Sequence, residues 1–241
     1  MTTLVLTPHG SADPRAAANA RAIASQLSRM RRGLDVRLGF CEQNSPSLVD
    51  VLTGLSRTRA AVVTPLLLAN AYHARIDIPR QITSCAIADQ GIDVAQADVL
   101  GEDDRLVSVL RERVTELGVS RLDDRLGVLV VAIGTSDPAA NARTATVAGK
   151  LTVGTRWTAT TAFVTRPEPS LHDAVIQLRR NGARRVVIAP WFLAHGTLPD
   201  RVQQFAHVKD IEMAAPLGAH RWVAQTVLAR FDQATARRLA A

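Results

Sequence analysis

The chain has 241 residues, 47% hydrophobic and 21% charged, with a formal net charge of +7. This fits a globular protein with a sizeable core, and no apolar run approaches the roughly 18 residues needed to span a bilayer. Nucleic acid is not an expected partner, because five Phe, three Trp and one Tyr leave no basic stripe interleaved with stacking aromatics.

Taken in chain order, short β-branched runs alternate with amphipathic stretches. Strands are expected at 3–7, 34–40, 60–68 and 92–97, and helices at 16–30, 46–57, 75–88 and 103–117. The same order returns with strands near 127–133, 157–164, 185–190 and 210–214, and helices near 139–151, 168–181, 199–207 and 219–238. Ala61-Val62-Val63-Thr64-Pro65-Leu66-Leu67-Leu68 is almost continuously apolar, as a strand buried on both faces should be. Alternation with short connections predicts an α/β protein with parallel sheets covered by helices on both sides. The polar stretch 118–126 reads as a linker between domains 1–120 and 121–241.

The two halves are one sequence written twice. Leu4-Val5-Leu6-Thr7-Pro8-His9-Gly10-Ser11-Ala12-Asp13-Pro14 returns as Val128-Leu129-Val130-Val131-Ala132-Ile133-Gly134-Thr135-Ser136-Asp137-Pro138, and Ala-Ala-Asn-Ala-Arg recurs verbatim at 17–21 and 139–143. Phe40 to Leu48 answers to Phe163 to Leu171, and Thr64-Pro65-Leu66 to Ala189-Pro190-Trp191. The expected architecture is therefore two similar doubly wound parallel-sheet domains from an internal duplication. Asp13-Pro14 and Asp137-Pro138 occur in both copies and read as helix-start caps.

Three polar residues did not survive the duplication. In this register His9 faces Ile133, Glu42 faces Thr165, and His73 faces Leu198. A purely structural role would be needed in both halves, so these three are the candidates for chemistry. Each follows one of the first three strands, at the edge where open parallel sheets bind ligands. Two neutral imidazoles and a carboxylate suit a divalent transition metal with open coordination positions. The two cysteines, Cys41 and Cys85, lack CxxC spacing, which suggests a reduced cytoplasmic protein. Cys41 reads as a buried neighbour of Glu42, not a ligand. No signal peptide is expected, since strand-like residues begin at Thr3.

Only Lys150 and Lys209 among the 29 basic residues are lysine. Arginine grips carboxylates and phosphates bidentately, which points to an anionic partner; the alternative is an Ala/Arg coding bias. Arg15, Arg75, Arg166 and Arg201 fall in loops or first helical turns at the presumed cleft. Ser11 and His195 join them as substrate-binding candidates, His195 lying in the second-half loop that mirrors the His73 loop. His172, His207 and His220 read as helix-face or helix-start residues.

His9-Gly10-Ser11 after the first strand resembles the opening motif of the CbiX/SirB-type sirohydrochlorin chelatases. Pro65-Leu66-Leu67-Leu68-Ala69-Asn70-Ala71-Tyr72-His73, followed by Asp77-Ile78-Pro79, is similar to that family's third-strand segment, with Ala71 where glycine is usual. Pro190-Trp191-Phe192-Leu193-Ala194-His195-Gly196 resembles the weakened second copy of the family's long form. The resemblance covers essentially the whole chain. It implies a class II chelatase fold and insertion of Fe²⁺ or Co²⁺ into sirohydrochlorin, with His9 and His73 binding metal and handling protons and Glu42 as third member.

No cofactor beyond the metal substrate is implied, and a monomer with pseudo-twofold domains is expected. Iron would lead to siroheme, cobalt to the cobalamin branch; the lack of a His-rich tract leans towards iron. Two other readings compete. A non-catalytic metal carrier would use the same donors without an apolar cleft or an arginine rim. A histidine phosphatase would want arginine directly before the histidine, where this chain has Pro8.

Overall fold

The computed structural model describes residues 2–55, 60–85, 91–165 and 168–240. Among them, eight strands alternate with eight α-helices in the anticipated order. The first four strands are β1 (Thr2–Thr7), β2 (Val36–Leu38), β3 (Ala60–Pro65) and β4 (Asp93–Gln96). They form a parallel sheet in the order β2-β1-β3-β4. The others, β5 (Leu126–Ala132), β6 (Thr158–Phe163), β7 (Arg185–Pro190) and β8 (Glu212–Met213), repeat it as β6-β5-β7-β8. Both are four-strand doubly wound sheets, as the duplication predicts.

The helices are α1 (Pro14–Met30), α2 (Leu48–Thr53), α3 (Ile78–Ser84), α4 (Asp104–Thr115), α5 (Pro138–Thr152), α6 (Leu171–Arg180), α7 (Thr197–Val208) and α8 (Arg221–Ala240). Positions 56–57 and 86–88, expected to extend two of these helices, lie outside the described residues. The capping expectation is met: Asp13 accepts from the Arg15 N–H and Asp137 from those of Ala139 and Ala140, each with proline opening the helix. β1 and β3 are sealed on both faces, with Leu4, Val5, Leu6, Ala61, Val62 and Val63 all fully buried. Each such leucine or valine side chain contributes about 1.5–3 kcal/mol. The edge strands are shorter than expected. β2, half-exposed, keeps three of the anticipated seven residues.

Domain composition departs from a cut after residue 120. One compact unit comprises Met1–Gly101 with Ala219–Ala241, the other Glu102–Gly218. The chain passes between units at Gly101 and Gly218, both with positive φ (63° and 67°), so the 118–126 stretch is an internal loop of the second unit. The repeats have exchanged their last helices. In the second unit α4 packs on α5 and β7, and Arg111 donates to the Lys150 and Leu151 carbonyls that end α5. In the first, α8 packs on α1, β3 and β4. Asp232 forks Arg31, and Arg230 donates to the carbonyls of Val99 and Leu100. An apolar helix stripe states that a sheet must be covered, not which sheet.

Candidate functional site

β1 ends at Thr7 and the chain turns through His9 and Gly10, where φ reaches +106°. A Cβ on Gly10 would lie 1.8 Å from the Glu42 carbonyl oxygen, so glycine alone lets the loops after β1 and β2 touch. They are then stitched together: Cys41 N–H donates to Pro8 O at 3.0 Å and Glu42 N–H to His9 O at 2.9 Å. Asn44 Oδ1 accepts from the Ser11 N–H at 2.8 Å. The result sets His9 Nε2 2.9 Å from Glu42 Oε1.

His73 begins a π-helical turn, His73–Asp77, that runs directly into α3. Its cause is Pro79. Proline has no N–H and its ring would crowd the carbonyl four residues back, so the turn widens and the Ile78 N–H reaches His73 O. The next carbonyl, Ala74 O, has no donor at residue 79 and receives Gln96 Nε2 from the end of β4 instead, at 2.7 Å. π-Turns of this kind recur at functional sites. This one brings the His73 ring to 4.0 Å from that of His9, centroid to centroid and nearly edge-on at 75°. All three residues the duplication singles out thus meet at the carboxyl edge of one sheet, at the β1/β3 switch point.

The hydrogen bonds fix which nitrogens are available. His9 Nδ1 lies 2.9 Å from Gly10 O, and a carbonyl only accepts, so Nδ1 carries the proton and Nε2 turns to Glu42. His73 Nδ1 sits 2.6 Å from Asp77 Oδ2, which leaves its Nε2 with the lone pair. The His9 and His73 side chains keep 32% and 42% of their surface open, so a ligand can reach both. Among the described residues no three His, Cys, Asp or Glu side chains form a ready-made metal cage. The donors here are tied to one another: His9 Nε2 and Glu42 Oε1 can sit this close only with a proton between them, and a metal ion would take that proton's place. Burial, then the nearby Asp77 and Glu42 charges, pushes the Cys41 thiol up to about 12, so Cys41 stays protonated and outside the ligand set. Asp77 was read from sequence only as part of a motif.

The second copy keeps the loops and lacks the three side chains. Ile133 is exposed, and Thr165 Oγ1 donates to Ile133 O at 2.7 Å. Leu198 sits in the first turn of α7, a regular α-helix. Of the substrate-binding candidates, Ser11 serves the loop itself, accepting from the Asp13 N–H, and the Arg15 guanidinium forks Asp13. Arg75 is exposed within the π-turn, His195 in the loop after β7, and Arg201 on α7. Arg166 lies outside the described residues.

The family model described as CbiX matches residues 3–117 and again 127–234. The chain belongs to this family. Among curated members, the sirohydrochlorin ferrochelatase of Priestia megaterium is 29% identical over 211 residues, covering 85% of this chain and 77% of that one. The sirohydrochlorin cobaltochelatase of the same organism is 26% identical, over 88% of this chain and 70% of its own. The CbiX fold is equally clear: SirB from Bacillus subtilis with Fe³⁺ superposes with a TM-score of 0.85 at 21% identity, over 99% of this chain and 97% of SirB. The two CbiX matches fall on the two sequence repeats.

Proposed function

We propose that this protein is a sirohydrochlorin chelatase, a lyase that inserts a divalent metal into the macrocycle and releases two protons. One observation carries the reading: two imidazoles and a carboxylate meet at the switch point of the first sheet, in a CbiX-family chain whose second copy has lost all three. Membership of a family containing both ferro- and cobaltochelatases supports the substrate. The metal is a substrate here. His9 Nε2, His73 Nε2 and Glu42 bind it with positions left open, so it arrives partly stripped of water. Of the four macrocycle nitrogens that come to bind the metal, two carry protons, and each of these loses its proton as its bond to the metal forms. Glu42, half open to solvent, takes that proton and returns it to water.

Ser11, Arg15, Arg75, His195 and Arg201, with Arg166, hold the substrate's eight carboxylates in this reading, and the always-charged guanidinium suits that task. Iron is the metal we carry forward, although the donor set also accepts cobalt. The protein works as a cytoplasmic monomer, a reading supported by two free, buried cysteines and by both repeats lying in one chain. Among the described residues no helix is long and apolar enough to cross a membrane. Anaerobic mixing with sirohydrochlorin and Fe²⁺ or Co²⁺, followed by absorbance, tests the activity. Insertion no faster than without protein would sink it and leave a metal carrier. Titration with Co²⁺ alone should give one ion per chain, and two equivalent sites would contradict the lost chemistry of the second copy.

A further inference from the structure

We infer that Asp77 is a positioning residue for His73, holding its ring in the one tautomer and orientation that offers Nε2 to the metal; this rests on the chelatase reading above. The geometry is direct. Asp77 Oδ2 lies 2.6 Å from His73 Nδ1, and the carboxylate is less exposed than the imidazole it holds, 26% against 42%. A carboxylate accepting from one ring nitrogen fixes the proton there and raises the basicity of the other.

The backbone around the pair is built for the contact. Pro79 opens the π-turn, Gln96 supplies the donor that Pro79 lacks, and the widened turn sets Asp77 beside His73 one turn later. The second copy shows the parts go together. In the register that sets His73 against Leu198, Asp77 faces Val202 and Pro79 faces Gln204. There Val202 is fully buried in the core and α7 runs as an α-helix throughout. At the matching positions histidine, aspartate and proline are all replaced, and the π-turn is gone, as expected if the last three serve the first.

His9 is held differently, through a backbone carbonyl, so only the His73 arm depends on a side chain that mutation can remove. Co²⁺ titration of the whole protein, without tetrapyrrole, isolates the effect in a double-mutant cycle. Asp77→Asn is expected to weaken Co²⁺ binding by about 10- to 100-fold, and His73→Ala by at least as much. The double variant should bind no more weakly than His73→Ala alone, because without the imidazole the carboxylate has nothing to orient.

A merely structural aspartate would cost the same factor in both backgrounds, and that result overturns the proposal. Unchanged affinity in Asp77→Asn alongside a loss in His73→Ala also overturns it, yet leaves the chelatase reading standing. Unchanged affinity in His73→Ala removes the metal site itself. Circular dichroism confirms folding, and Asp77→Ser replaces the asparagine variant in the cycle if that one is unfolded.

Discussion

The loops that follow β1 and β5 descend from one sequence, and their backbones still make the same bonds. Cys41 N–H to Pro8 O is matched by Val164 N–H to Ala132 O, and Glu42 N–H to His9 O by Thr165 N–H to Ile133 O. Each turn also has a side-chain brace. In the first copy Asn44, from the neighbouring loop, accepts from Ser11. In the second Asn141, from the helix that follows, both accepts from the Thr135 N–H and donates to its carbonyl. The Asn141 brace is local and buried. The brace in the candidate active copy reaches across to the loop that carries Glu42. A scaffold held by main-chain bonds can lose its chemistry without losing its shape.

Breaking that comparison starts with the histidines. His9→Ala and His73→Ala should each cut insertion by about a hundredfold or more with the melting temperature little changed, whereas Thr165→Ala at the twin of Glu42 should leave turnover unchanged. A steady-state assay checks both, and near-normal turnover in either histidine variant would mean the site is misassigned.

Gly10→Ala comes next. Its positive φ and the 1.8 Å approach to Glu42 O should cost about 1–3 kcal/mol in denaturant melts and separate His9 from Glu42, so activity and stability fall together. The two braces should then part company. Asn141→Ala, which strips two partners from the Thr135 backbone, should cost about 1–3 kcal/mol and spare turnover. Asn44→Ala should cost less stability but lower turnover by about an order of magnitude.

The smallest effect concerns pH. Cys41, whose twin is Val164, has its thiol raised by burial from the ordinary 9 to about 12. The unfolded chain therefore releases that proton first. The group leaves stability untouched below pH 9 and lowers it progressively as pH rises from 9 towards 12. Urea midpoints at about pH 8 and 10.5 should differ more for the parent than for Cys41→Ala.

Much of this was legible in the sequence because duplication supplies its own control. Positions kept in both copies, such as Asp13 and Asp137, proved to be caps; three of those kept in one, His9, Glu42 and His73, proved to converge. Strand and helix order followed from periodicity, since buried parallel strands read as unbroken apolar runs. The π-turn was not legible, because a wide turn and an α-helix share nearly the same hydrophobic spacing and only Pro79 hinted at the difference. The partnership of Asp77 with His73 was hidden for the same reason. The 118–126 stretch misled because its Asp123-Asp124-Arg125 composition resembles a linker, although Arg184 and Arg185 both donate to the Arg125 carbonyl within the second unit.

The exchange of helices also has a bearing on how the protein is made. The unit holding His9, Glu42 and His73 starts with the first strand but is covered by α8, which leaves the ribosome only after the whole of the second unit. At about 5–20 residues per second, the sheet carrying the three candidate residues waits on the order of ten seconds for α8. The second unit, one uninterrupted segment from Glu102 to Gly218, can fold during that interval. Synthesis therefore completes the second unit first, and the unit carrying His9, Glu42 and His73 is closed only once α8 has followed it.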